Sequence, residues 1–157
     1  MLESYYRPAR EAPNKRTDMS TPRLKLLNPP SLYDSSPNAY SQLAVVAGGS
    51  RLVFLSGQGG DEPDGSFSPD FRTQAAAAFR NVGLGLTAVG ATPADVAKIT
   101  VLIVDHDMDK LRIMQEEQRR LFGAHHPAAT LIPVPGLALP DMQIEVEAVA
   151  ALAAQAD

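Results

Sequence analysis

From Arg23 onward the spacing of apolar positions switches between about 2 and about 3.6 residues. Gln42 to Ala47 and Arg51 to Ser56 are apolar, β-rich runs separated by Gly48-Gly49-Ser50. That arrangement predicts a tight hairpin. A short strand is predicted before it, around Leu24 to Leu27. Gly57 to Gly65 is rich in glycine and acid and ends in the turn signal Pro63-Asp64-Gly65. A helix is predicted to start near Ser68-Pro69-Asp70, with Ser68 as N-cap and Pro69 at the first helical position. Phe71, Ala75, Ala78, Val82, Leu86 and Val89 form its apolar stripe, and the chain turns at Gly90.

Thr92-Pro93-Ala94-Asp95 reads as a capped turn, followed by a strand over Val96 to Val104. Asp107 is placed to cap a second helix, with Met108, Leu111, Met114 and Leu121 inward and Gly123 as its stop. Two more strands are predicted, Thr130 to Val134 and Met142 to Ala150. In the last, Met142, Ile144, Val146 and Ala148 share one face, and Gln143, Glu145 and Glu147 the other. The order is β-β-α-β-α-β-β, with the short extra strand in front. The expected fold class is α+β: a two-layer mixed β-sheet with two helices on one face.

Composition narrows the chemistry. The chain has 157 residues, of which 45% are hydrophobic and 20% charged, an ordinary globular mixture for one domain over residues 23–153. Without cysteine it can form no disulfide, thiol nucleophile or cysteine-ligated metal centre. That usage fits a cytoplasmic protein. The net charge of −4 is uneven. Residues 1–26 carry six Lys/Arg against three acids, which leaves 8 basic and 15 acidic residues, or −7, in the rest. An acidic body is a poor platform for a nucleic-acid backbone. No apolar run reaches the roughly 18 residues needed to cross a membrane. Residues 1–18 are polar, contain Pro8 and Pro13, and lack the apolar centre of a secretory signal. Residues 1–22 are expected to form a disordered extension, and Met19 reads as an alternative start.

Three segments carry a resemblance in the same order. They are Leu52-Val53-Phe54-Leu55-Ser56-Gly57-Gln58, then Asp95 to Val101 followed by Asp105, then Ile144-Glu145-Val146-Glu147-Ala148-Val149-Ala150. Together they resemble the RidA family, also called YjgF or endoribonuclease L-PSP, over about residues 36–152. The resemblance implies a chorismate-mutase-like homotrimer with clefts between subunits. Such clefts bind small carboxylates. Active members hydrolyse reactive 2-imino or enamino acids to 2-oxo acids, without metal or cofactor.

The resemblance also implies roles by position. Tyr40 corresponds to a tyrosine lining the cleft, and Gly57 to a residue whose backbone carbonyl faces the ligand. Glu145 corresponds to a glutamate that helps place the attacking water, and Leu131 to a position whose backbone N–H points at the ligand. Ser56 lies beside Gly57 in the same strand-ending motif. Ala124 to Thr130 is similar to a segment that normally reads Pro-Ala-Arg-Ser/Thr, and Ala129 stands where the arginine grips the substrate carboxylate. A methyl group cannot replace a planar, charged fork. Loss of such a partner commonly costs on the order of 2–5 kcal/mol, about two to four decades in affinity. The stretch Pro133 to Leu139 is also longer than usual for the family.

Read without the resemblance, these residues have plainer roles. Glu145 is a solvated strand position, Tyr40 a loop aromatic packed on the sheet, and Ser56 a turn residue with no spaced His or Asp partner. His125 and His126 are adjacent, so they rarely aim at one ion, and no third ligand has a helpful spacing. Arg51, Arg119 and Arg120 are candidates for a substitute cation, or solvated charges.

The expected function is a homotrimer binding a small metabolite, with hydrolysis of an imine- or enamine-type compound and doubtful activity on free 2-imino acids. The alternatives are a standard deaminase using another cation, an endoribonuclease or translation inhibitor, and a non-catalytic binding or holdase trimer.

Overall fold

The computed structural model describes residues 23–154. The expectations for residues 1–22 lie outside the described residues. In chain order the elements are β1 (Leu24–Leu27), β2 (Leu43–Val46), β3 (Arg51–Gly59), α1 (Phe71–Ala88), β4 (Val96–Val104), α2 (Met108–Phe122), β5 (Ala128–Val134) and β6 (Ile144–Leu152). Short 3-10 turns cover Ser36–Asn38 and Pro93–Asp95.

The strict alternation of β4 and β6 places Ile99, Val101, Ile103, Ile144, Val146 and Ala148 on one face, where they are buried. That face is covered by α1 and α2, so the two-layer α+β arrangement holds. The main sheet is mixed, in the order β3-β6-β4-β5, with β4 and β5 parallel and the other pairs antiparallel. The helices meet edge to face through Phe79 and Phe122, with ring centroids 6.5 Å apart. Gly85 lets α1 approach the sheet. A Cβ there would come within 2.6 Å of Leu55 Cδ1.

The expected hairpin is not formed. β2 pairs with β1 in a separate two-stranded sheet, and β3 pairs with β6. The turn itself is present, with Gly49 at φ 82° and the Ser50 hydroxyl donating to Ala47 O at 2.8 Å. It redirects the chain between two sheets instead of folding one strand on the next. Arg23 O, at the same end of the small sheet beside the Leu24–Val46 pair, accepts from Ala47 N at 2.9 Å.

Ser68 is not the N-cap of α1. Asp70 is, and its carboxylate accepts from Thr73 N at 2.9 Å and Thr73 Oγ1 at 2.8 Å. These bonds, the hydroxyl's first, hold its pKa below the usual carboxylate value. Ser68 Oγ accepts from Asp70 N one step earlier. Val89 is the C-cap and exposed, because the helix ends at Ala88. Met108 is exposed too, being the first residue after the Asp107 cap, where the helix has not yet turned toward the core. Asp107 accepts from Lys110 N at 2.7 Å, and Gly123 ends α2 at φ 57°.

Candidate functional site

The uncovered face of the main sheet is ordered in rows fixed by strand register. Phe54, Val149, Lys98 and Ala128 form one row. The next contains Glu147, Thr100 and Thr130, and the third Gly59, Glu145, Leu102 and Ile132. Phe54 is 74% exposed, and Leu52 and Ile132 are exposed as well.

Between Leu55 and Gln58 the register of β3 against β6 slips, so Ser56 and Gly57 together oppose only Glu147. Such a bulge re-aims the strand. It brings Gly57 against Glu145, so close that a Cβ on Gly57 would lie 1.6 Å from Glu145 Oε1. The Gln58 side chain folds back and donates to Ser56 O at 2.9 Å and Gly57 O at 3.3 Å. Ser56 is exposed and Glu145 half-buried.

Tyr40, Ala129 and Leu131 lie elsewhere. Ala129 is paired with Ile99 and Leu131 with Val101, so both side chains face the helix-covered side and pack on the core. Tyr40 is brought beside them by a parallel bridge between Ser41 and Ala128, with Ser41 N donating to Pro127 O at 3.1 Å. Its own carbonyl accepts from the buried Ser35 hydroxyl at 2.7 Å. The preceding Ala39 sits at φ 62°, its carbonyl accepting from the buried Gln118 amide at 2.6 Å.

The six candidates therefore form two groups: Ser56, Gly57 and Glu145 on the open face, and Tyr40, Ala129 and Leu131 at the β5 side of the covered face. β6 and β5 are two strands apart, about 10 Å across the sheet at about 4.8 Å per strand. One chain does not close a cleft around all six.

The candidate replacement cations are engaged or remote. Arg119 donates to Pro37 O at 2.6 Å, close to the Tyr40 segment. Arg120 pairs with the buried carboxylate of Glu117 at 2.6 Å, and Arg51 is exposed at the start of β3. His125 Nε2 meets Val96 O at 2.7 Å, which ties it to the start of β4.

One residue was missed in the sequence. Lys98 stands on the open face, its ammonium donating to the Thr130 hydroxyl, with no carboxylate partner among the described residues. Desolvation lowers its pKa from the ordinary lysine value. The available signal was its isolation, for Lys98 is the sole charge in the nine-residue run Val96–Val104.

A surface cleft of about 410 Å³ is lined by Phe67, Ser68, Pro69, Pro140, Asp141 and Gln143. Behind it, buried Gln74 donates to Ser68 O at 2.7 Å and Asp141 O at 2.8 Å and accepts from Gln143 N at 2.9 Å. The cleft shares no residue with either candidate group. Among the described residues no helix is long and apolar enough to cross a membrane.

Comparison with known proteins identifies the chain's relatives. The family described as Endoribonuclease L-PSP matches residues 34–152. The RutC family protein YjgH of Escherichia coli K12 is 34% identical over 95 residues, covering 60% of this chain and 72% of that protein. The human 2-iminobutanoate/2-iminopropanoate deaminase is 33% identical over 114 residues, covering 71% of this chain and 78% of that protein. Among solved structures, the Rid-family protein YyfB of Yersinia pestis superposes with a TM-score of 0.77 at 29% identity, covering 83% of this chain and 99% of that one.

Proposed function

This chain belongs to the Endoribonuclease L-PSP family, the RidA or YjgF family, and on that premise we propose that it acts on a small imine-type metabolite in a cleft completed by a second copy of itself. The observation that carries this reading is the separation of the candidate residues into two groups on opposite faces of one sheet. A neighbour's Gly57 and Glu145 brought against Tyr40, Ala129 and Leu131 reunites them. The exposed Phe54, Leu52 and Ile132 give the open face apolar area for that contact, and a closed ring of three gives each chain one such neighbour on either side.

The chemistry within reach is hydrolysis. An imine carbon is already electrophilic, so it needs a placed water and an acceptor for that water's proton. Glu145 supplies the acceptor, and the Gly57 carbonyl beside it fixes the water. Ala129 offers the substrate no charge. Activity on free 2-imino acids is accordingly weak in the wild-type protein, and the preferred substrate is one whose binding does not depend on a bidentate guanidinium.

Light scattering in solution should give three times the chain mass. The shared site is tested in an Ala129→Arg background, where imine hydrolysis is expected to be measurable. Glu145→Ala and Tyr40→Ala variants should each be inactive. Trimers reassembled from an equal mixture of the two should regain about one quarter of the activity, the fraction of sites that draw both intact residues from different chains. A stable monomer, or no regain in confirmed mixed assemblies, would refute the reading.

A further inference from the structure

We propose that Gln118, buried near the end of α2, is a positioning residue for the cleft: through the Ala39 carbonyl it sets the direction in which Tyr40 leaves the backbone. Two rigid peptide planes flank the Tyr40 Cα, and their orientations fix that direction. The first plane carries Ala39 O, which accepts from Gln118 Nε2 at 2.6 Å. The second carries Tyr40 O, which accepts from Ser35 Oγ at 2.7 Å, and Ser41 N, which donates to Pro127 O at 3.1 Å. Polar groups on both planes are therefore held, each by a different part of the chain. Ser35 is 0% exposed and Gln118 2%, so water does not compete for either bond.

Ala39 explains why a hold from outside the segment is needed. It sits at φ 62° and ψ 27°, the left-handed region that a residue with a Cβ avoids. The bond that closes the preceding 3-10 turn, from Ala39 N to Ser36 O at 3.1 Å, lies before both of these torsions and constrains neither. The Gln118 bond lies beyond both and closes the turn from the far side. Backbone strain of this kind persists only where the surroundings over-determine it. The amide must present Nε2 here, because its oxygen would be repelled by the carbonyl. Leucine would fill similar space at position 118 but leave Ala39 O unpaired. Arg119, the next residue of the helix, donates to Pro37 O at 2.6 Å, so α2 grips the same segment twice. This inference rests on the reading of Tyr40 as a cleft residue, and it adds a residue outside the cleft that controls it.

The test is fluorine NMR of the full-length protein labelled with fluorotyrosine, the Tyr40 resonance being assigned by its absence in Tyr40→Phe. Gln118→Glu is the informative variant. Its carboxylate has no proton for Ala39 O, whereas its protonated carboxyl is a donor of nearly the same shape as the amide. Burial raises the pKa of such a group, which brings protonation within reach of mild acid. Gln118→Glu should show a displaced Tyr40 resonance at about pH 7 and the wild-type position at about pH 5, with little change in wild type between them. Gln118→Leu should be displaced at both. In the Ala129→Arg background Gln118→Leu should lower kcat/KM for imine hydrolysis by about tenfold, and Gln118→Glu should recover toward its parent in acid. A Tyr40 resonance in its wild-type place in folded Gln118→Leu, or no return in acid for Gln118→Glu, overturns the assignment. So does hydrolysis that ignores Gln118 while the resonance moves. So does a Gln118→Glu protein that fails to fold in acid, where donor and shape are both restored, for Gln118 would then serve folding alone. The two readings stay apart. A resonance that follows Gln118 with no hydrolysis in any background upholds the hold on Tyr40 and removes the proposed reaction. Hydrolysis that is the same with and without Gln118 does the reverse.

Discussion

Glu145 occupies the volume in which any residue other than glycine at position 57 would place its Cβ. The clash would include Glu145 Cδ at 2.4 Å and Cγ at 2.6 Å as well as the carboxylate oxygen, so the whole end of the side chain must leave. Gly57 is thus a steric requirement of the Glu145 rotamer, whatever its carbonyl does.

Gly57→Ala should accordingly leave the protein folded while displacing the carboxylate. The obstacle is a movable side chain and not backbone, so we expect a stability loss of about 1–3 kcal/mol, as for other overpacked sites. Activity in the Ala129→Arg background should fall to the level of Glu145→Ala. In the double variant Gly57→Ala/Glu145→Ala the clash is gone, and most of the stability should return. Urea unfolding of the four proteins measures this coupling, and simple additivity would show that the two residues do not compete for space.

Ala129→Arg should raise hydrolysis of 2-imino acids generated in situ by an amino-acid oxidase. A guanidinium contact to the carboxylate is worth about 2–5 kcal/mol at full strength. The gain will be smaller here, because Ala129 packs against the core and a longer side chain must be turned out of that packing to meet a ligand. A tenfold rise in kcat/KM corresponds to about 1.4 kcal/mol and is the expected scale. Adding Glu145→Ala should abolish it.

Gln74→Leu should destabilise the protein by about 3 kcal/mol. The side chain is fully buried and serves two carbonyls and one N–H, all of which the substitution would leave unpaired. Hydrogen exchange should rise first at Gln143 N, which loses its acceptor, with activity less affected than stability.

Lys98→Met should be more stable than wild type near neutral pH. The folded-state pKa of Lys98 is lowered, so between that value and the ordinary lysine value of about 10.4 the unfolded chain binds more protons. Wild-type stability therefore gains from Lys98 as pH rises through this window, and the charged form costs stability below it. Subtracting the Lys98→Met profile isolates the effect of Lys98 from that of the other titrating groups. Urea midpoints at pH 7 and pH 10 should converge between the two proteins, and a wild type that is the more stable at pH 7 contradicts the assignment of an uncompensated cation.

Elements that carry their own start and stop were legible in the sequence. α2 is bounded by Asp107 and Gly123, and both act as expected. β4 and β6 alternate cleanly, and the buried face of β6 is the one the pattern named. Partner choice was not legible, because the apolar run Leu43–Val46 is equally suited to pair with β3 or with β1. Ser68 and Asp70 are both competent caps, and only the backbone path selects between them. At the candidate site the motifs located the residues but not their grouping. The approach of Gly57 to Glu145 depends on a bulge, and the separation of Ala129 from Glu145 depends on which face each strand presents. Lys98 passed as one polar position in a strand because its Thr130 partner lies on a different one.

The strand at the heart of the main sheet is also the last described in the chain. β6 joins β3 to β4, so during synthesis these two are made with nothing yet between them. About forty residues separate the end of β4 from the start of β6, several seconds at about 5–20 residues per second. Through that interval β3 has an unpaired backbone on both sides, while Phe54 and Leu52 have no partner strand beside them. An edge of this kind invites pairing with another nascent chain. The moment of greatest risk among these strands therefore falls before β6 emerges, and crowding of neighbouring ribosomes on one message would aggravate it.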